Sequence, residues 1–185
     1  MKIKDYKLFI ESKTDIDSIC KKYGIKNYTI NDDVTIDVDS YVNLTEKGLT
    51  KLPLKFGKVT GYFDCSDNQL TSLEGAPYYV GGYFSCYNNQ LKTLEGGPET
   101  IIGGYYCLNN KLINFKGFPE HYEGEIWFSN NPVYRLLIKI PDEKRNQFIY
   151  WCNEYDAIAD NGVIIYERIE EVYNQIGLIY NNNEN

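Results

Sequence analysis

Cys65, Cys86 and Cys107 stand 21 residues apart, and each opens a related string: Cys65-Ser66-Asp67-Asn68-Gln69-Leu70, Cys86-Tyr87-Asn88-Asn89-Gln90-Leu91 and Cys107-Leu108-Asn109-Asn110-Lys111-Leu112. Three thiols at one spacing would suit a soft metal ion, and a thiolate beside an imidazole would suit covalent catalysis. The rest of the chain completes neither chemistry. It has five cysteines with no C-x-x-C pair and a single histidine, His121, so neither zinc-ligand spacing nor a disulfide framework reads off the sequence. His121 lies away from the cysteine strings with no acidic partner placed to orient it. The pair Glu170-Glu171 fits a solvated helix face, and Glu74 and Glu95 fit exposed turns. The pairs Gly81-Gly82 and Gly103-Gly104 lack the Lys-Ser/Thr of a phosphate loop. The expectation is a protein that is not an enzyme and takes neither cofactor nor metal.

The elements that carry these residues follow from the period. Aligned at 21 residues, the apolar columns are Val42/Phe63/Phe84/Tyr105/Ile126, Leu44/Cys65/Cys86/Cys107/Phe128, Leu49/Leu70/Leu91/Leu112/Val133 and Leu52/Leu73/Leu94/Phe115/Leu136. The cysteines share a column with Leu44 and Phe128, which reads as small buried core residues. Cys20 and Cys152 lie on apolar helical faces and read the same way. Further columns hold Gly61/Gly82/Gly103/Gly124, Gly75/Gly96/Gly117, Pro77/Pro98/Pro119 and Val59/Val80/Ile101/Tyr122. Glycine and proline at fixed offsets mark corners. A short internal period of this kind specifies stacked units that bury one continuous core. Asn68, Asn89, Asn110 and Asn131 fall where the chain leaves each strand, and their amides can donate to and accept from backbone groups of neighbouring turns. Lys47 interrupts that ladder in the first unit.

The unit apolar-x-apolar-x-x-Asn-x-apolar-x-x-apolar resembles a leucine-rich repeat, over residues 42 to 138. More narrowly, Phe63-Asp64-Cys65-Ser66-Asp67-Asn68-Gln69-Leu70-Thr71-Ser72-Leu73-Glu74-Gly75-Ala76-Pro77 is similar to the short repeats of phage and bacterial proteins. Gly and Pro stand where longer members carry a convex helix, so the return segment is expected to be extended or a tight turn. The expected fold is a repeat solenoid: a leucine-rich-repeat-like parallel sheet with little convex helix. Residues 1–41 form an α+β N-terminal cap, 42–138 about five 21-residue units, and 139–185 an α-helical C-terminal cap with a disordered tail from Asn181. In the first cap, Thr14-Asp15-Ile16-Asp17 resembles a helix start with Gly24 as its stop, followed by strands at Tyr28–Ile30 and Val34–Val38. In the last, helices carry Phe148, Trp151, Cys152 and Tyr155, then Ile165, Ile169, Val172, Tyr173 and Ile176, and cover the final repeat.

Composition narrows the partners. The chain has 185 residues and a formal net charge of −7, and its 19 basic residues are scattered, which argues against a phosphate backbone as ligand. No apolar run reaches membrane-span length and the start lacks a signal-peptide pattern, so no membrane partner is expected and the location is cytoplasmic with reduced thiols. Abundant Ile, Asn, Tyr and Lys with three Arg suit an AT-rich genome of the kind found in low-GC bacteria and their phages. On a strand, residues flanking the apolar pair point outward. These include Tyr62, Asp64 and Asp67, then Tyr83 and Tyr87, then Tyr106 and Leu108, then Trp127, with Ser66, Ser85 and Glu125 beside them. Tyr83, Tyr87, Tyr106, Leu108 and Trp127 are expected to form one patch on a concave face, with Asp64, Asp67 and Glu125 as an acidic rim. Such a surface suits a protein partner of basic character. The phage resemblance implies a host protein of a defence or takeover pathway, reached in the host cytoplasm. The alternative is a small-ligand receptor holding a sugar or nucleotide on the same aromatics.

Overall fold

Each unit supplies two short alternating stretches separated by Gly, Pro, Asn and Asp, and both become strands. The computed structural model describes residues 3–180, with side chains from Lys13 onward. Helix α1 (Ile3–Tyr23) leads into β1 (Tyr28–Ile30), β2 (Ile36–Val38), β3 (Val42–Asn43), β4 (Phe56–Val59), β5 (Phe63–Asp64), β6 (Tyr79–Val80), β7 (Phe84–Ser85), β8 (Thr100–Ile101), β9 (Tyr105–Tyr106), β10 (His121–Tyr122) and β11 (Ile126–Trp127). Helices α2 (Tyr134–Leu137), α3 (Arg145–Glu154) and α4 (Tyr166–Gln175) follow. The strands form two sheets. Sheet A runs β1-β2-β4-β6-β8-β10 and sheet B runs β11-β9-β7-β5-β3. All pairs are parallel except the β1–β2 hairpin. The result is a β-solenoid of about four turns with few helices.

The return segment is therefore a sheet in its own right. Strands on both sides of a turn advance by the same inter-strand distance, which removes the geometric cause of a horseshoe bend. The surface expected to be concave is the outer face of sheet B. The core lies between the sheets. Val59, Val80 and Ile101 of sheet A face Phe63, Phe84 and Tyr105 of sheet B, all with essentially no exposure. Full burial of such a side chain contributes about 1.5–3 kcal/mol. Phe63 and Phe84 stack at 5.5 Å, and Tyr105 continues the column edge-on to Phe84 at 5.6 Å.

The corner after each sheet B strand is held by two successive residues. Asp67, Asn88, Asn109 and Asn130 take φ of 55°, 55°, 53° and 56°, the left-handed region that Asn and Asp tolerate. The next residue turns its amide inward. Asn89 Oδ1 accepts from the Leu70 N–H at 2.9 Å, and its Nδ2 donates to the carbonyls of Cys65, Cys86 and Tyr87. Asn110 and Asn131 repeat this one and two turns later. Asn68 accepts from both Lys47 and Leu49 N–H, so the first unit, lacking the ladder amide, is stitched through its backbone. Gly103 shows why the corner before sheet B needs glycine: a Cβ there would stand 2.8 Å from backbone atoms of Gly82 and Tyr83.

The ends depart from the expected caps in two respects. The strand expected over Val34–Val38 begins only at Ile36, because Val34 takes φ 61° in the turn before it. Helix α1 runs uninterrupted through Thr14-Asp15. The preceding segment has no Gly or Pro to stop it, so a sequence with cap character lies in the helix interior. Gly24, at φ 70°, ends it. Ile16, Cys20 and Ile25 join the core, and β2 pairs with β4 in sheet A. At the other end Phe148 of α3 meets Phe115 edge-on at 6.3 Å, and Asn153 Nδ2 donates to the Phe115 carbonyl at 3.0 Å. The expected tail from Asn181 lies outside the described residues. Among the described residues, no helix is long and apolar enough to cross a membrane.

Three buried side-chain groups lack a hydrogen-bond partner among the described residues: the hydroxyls of Tyr105 and Tyr122 and Asn114 Nδ2. Tyr105 continues the Phe63/Phe84 column, and its hydroxyl is buried without a hydrogen-bond partner among the described residues. Tyr105→Phe is expected to raise stability by about 1 kcal/mol, because an unpaired buried hydroxyl is removed while the ring stays. Urea unfolding followed by circular dichroism checks this, and a lower midpoint would show that the hydroxyl has a partner.

Candidate functional site

The cysteine column is closed to solvent. Cys65, Cys86 and Cys107 are fully buried between the sheets, and burial, followed for the first two by the neighbouring thiol, pushes their pKa values well above the ordinary thiol range. Burial also pushes Cys20 up to about 11 and raises Cys152. All five are free thiols. His121 is exposed in a strand of sheet A, whereas the three repeat thiols sit in the sheet B side of the core. Among the described residues no group of three or more His, Cys, Asp or Glu is arranged to hold a metal ion.

The outer face of sheet B carries a continuous row of rings. Tyr41 stacks on Tyr62 at 4.9 Å and Tyr62 on Tyr83 at 4.7 Å, with interplanar angles of 12° and 4°. Tyr83 meets Tyr106 at 5.7 Å, and Tyr106 meets Trp127 edge-on at 5.6 Å. The period alone places Tyr41, Tyr62, Tyr83, Gly104 and Glu125 in one column, and Asn43, Asp64, Ser85, Tyr106 and Trp127 in the next outward column. The row changes column at Gly104. A Cβ on Gly104 would stand 2.6 Å from the Tyr106 hydroxyl oxygen, so the Tyr106 side chain fills the place that glycine leaves. Trp127 is then fixed by its Nε1, which donates to Glu125 Oε2 at 3.1 Å.

The residues expected to bind a partner therefore separate into three groups. Tyr62, Tyr83, Tyr106 and Trp127 belong to the row. Tyr87 and Leu108 occupy the neighbouring outward column and are half-buried, and the Asp67 carboxylate accepting from Tyr87 raises that phenol's pKa. Asp64 and Asp67 flank the row; Asp64 also holds the backbone, and Asp67 holds the side chain of the next turn. Asp64 Oδ1 accepts from the Ser66 N–H at 3.0 Å, and Asp67 Oδ1 accepts from Asn88 Nδ2 at 2.6 Å. Ser66 and Ser85, expected on the surface, are buried and bonded to each other through their hydroxyls at 2.6 Å. They lie among large rings, which exclude water from two small side chains. Tyr41 was not anticipated, although one more step of the 21-residue period from Tyr62 reaches it.

The geometry determines which part of the rings is available. Within the row the faces of Tyr62 and its neighbours are occupied by each other, leaving edges and hydroxyls to solvent. Open ring area is concentrated at the two ends, where Tyr41 and Trp127 are each 54% exposed. Burial, then the nearby Asp64 carboxylate, pushes the Tyr83 phenol up to about 12, so that hydroxyl stays uncharged at neutral pH. Sheet A presents a different surface, with Lys58 over the Tyr79 ring at 4.7 Å and Thr60 bonded to Asp39. Comparison with protein-family models, with curated proteins and with solved structures finds no match to this chain.

Proposed function

We propose that this chain is a non-catalytic intracellular binding module of the short leucine-rich-repeat type, which grips a protein partner through the outer face of sheet B. The observation that carries the reading is the five-ring row from Tyr41 to Trp127, which spans every turn of the solenoid. Rigid aromatic side chains that are already stacked lose little freedom on binding, and exposed Tyr and Trp are enriched where proteins meet. Asp64, Asp67 and Glu125 give the face an acidic border, which favours a basic partner and speeds encounter. The repeat string and its asparagine ladder support the leucine-rich-repeat reading. The AT-rich residue usage supports a phage or bacterial source, with a host protein as the target.

A sugar or nucleobase receptor receives less support, because stacking on a ligand needs free ring faces and those inside the row are taken. The test is affinity capture from the lysate of a low-GC bacterium with wild type and with Tyr87→Ala/Tyr106→Ala/Trp127→Ala, checked for fold by circular dichroism. A protein retained by wild type and lost by the variant is the expected result. Equal retention by both would contradict a role for this face.

A further inference from the structure

Sheet B ends at β11 without a following turn. In each earlier turn the backbone N–H groups at this register donate to the next strand: Phe84 to Gly104 at 3.0 Å, Cys86 to Tyr106 at 2.9 Å, Tyr105 to Glu125 at 2.8 Å and Cys107 to Trp127 at 3.0 Å. The equivalent donors of the last turn are the N–H groups of Ile126 and Phe128. Neither has an acceptor among the described residues. Trp127, between them, pairs back to β9. Phe128 is 4% exposed, and an unpaired donor at a water-poor position is one that a native backbone ordinarily satisfies.

These groups open into a defined space. The run from Glu125 to Ser129 forms one wall of a cleft of about 490 Å³, and α2 and α3 form the other. Leu137 and Ile149, 3% and 4% exposed, supply the apolar part of that second wall, and Asn146 and the ion-paired Arg145 and Asp142 supply its polar part. Trp127 lines the cleft and also ends the aromatic row, so the cleft is continuous with the proposed binding face. Unsatisfied main-chain donors beside an apolar wall match an extended polypeptide, whose carbonyls recur at strand spacing and whose alternate side chains point to opposite sides.

The geometry points to β-strand addition: the cleft takes an extended segment of the protein partner as a sixth strand of sheet B. One set of alternate side chains is apolar and packs toward Leu137 and Ile149. The other set is basic, matching Glu125 beside Trp127 and the net charge of −7. This deepens the reading of sheet B as the partner-binding surface and rests on it, adding recognition of main chain to recognition by ring edges.

The test titrates the full-length ¹⁵N-labelled chain with an end-blocked hexapeptide of alternating valine and lysine. Amide exchange at Ile126 and Phe128 is expected to slow at least tenfold at saturation, while exchange at Trp127 is unchanged. N-methylation of the peptide on alternate residues, and separately replacement of lysine by glutamate, should each weaken binding at least tenfold. No protection at millimolar peptide, or equal binding by peptides methylated in either alternate set, overturns the proposal. Protection already complete in the dilute free protein would mean that the chain covers its own edge. Protection that appears on concentrating the free protein would mean that a second copy does, and either outcome overturns a partner peptide. A Tyr62→Ala/Tyr83→Ala variant keeps the two readings apart. If the peptide fails while capture still distinguishes this variant from wild type, strand addition alone is wrong. If the peptide binds while capture is indifferent to the variant, the outer-face reading alone is wrong.

Discussion

Asn89→Ala is expected to lower the unfolding free energy by about 3 kcal/mol, the cost of orphaning a buried backbone donor together with a small cavity. The donor is the Leu70 N–H, bonded to Asn89 Oδ1 at 2.9 Å. The carbonyls lose less. Cys65 O keeps Asn68 Nδ2 and Cys86 O keeps Asn110 Nδ2, because the ladder shares each of them between two amides. Asn89→Asp is the sharper variant. An introduced carboxylate still accepts from Leu70, but it turns a second oxygen toward the Cys65 and Cys86 carbonyls at a position that is 2% exposed. Burial and repulsion disfavour its charged form and raise its folded pKa above the unfolded value. Stability is therefore greatest below the unfolded carboxylate pKa, near 4, and falls as pH rises through the folded pKa. Urea unfolding at several pH values checks the sign: relative to wild type, Asn89→Asp should recover in acid, and Asn89→Ala should not. A flat difference across pH would show that the amide does not face the carbonyls.

Gly117→Ala is expected to cost about 2–5 kcal/mol, combining a left-handed backbone with overlap between turns. Gly117 has φ 77°, and a Cβ there would overlap backbone atoms of Leu94 and Glu95. Gly48 separates the two contributions. Its φ is 66°, with nothing within 4 Å of a Cβ, so Gly48→Ala should cost about 1 kcal/mol from conformation alone. Denaturant midpoints of the two variants measure the difference. Equal losses would mean that adjacent turns do not approach closely at this corner.

Much of the solenoid is legible in the sequence because its determinants are periodic. The four apolar columns, the ladder asparagines and the corner glycines each recur every 21 residues, and each maps to one place in the turn. What was harder to read depends on interactions between columns. A run such as Phe56-Gly57-Lys58-Val59 is too short, and too close to Gly and Pro, to announce a second sheet. It becomes a strand because β2 and β6 lie on either side of it. The row of rings is similar. Tyr83 and Tyr106 belong to different columns, and their contact requires Gly104, whose missing side chain leaves room for the Tyr106 ring. Ser66 and Ser85 alternate outward as strand residues should, yet they are covered by the bulk of neighbouring columns. Thr14-Asp15 shows the opposite error, in which a local capping pattern is overridden by a helix that nothing interrupts.

The central claim is that sheet B, and not sheet A, is the recognition face. The most direct test measures the affinity of the captured protein for two variants of matched stability, Tyr106→Ser/Trp127→Ser on sheet B and Tyr78→Ser/Ile102→Ser beside sheet A. Tyr78 and Ile102 are a suitable comparison because they too are large and exposed, at 54% and 38%. The account predicts at least a thirtyfold loss for the sheet B variant, on the order of 2 kcal/mol, and no more than a twofold change for the other. An equal loss from both, or a loss confined to Tyr78 and Ile102, would contradict it.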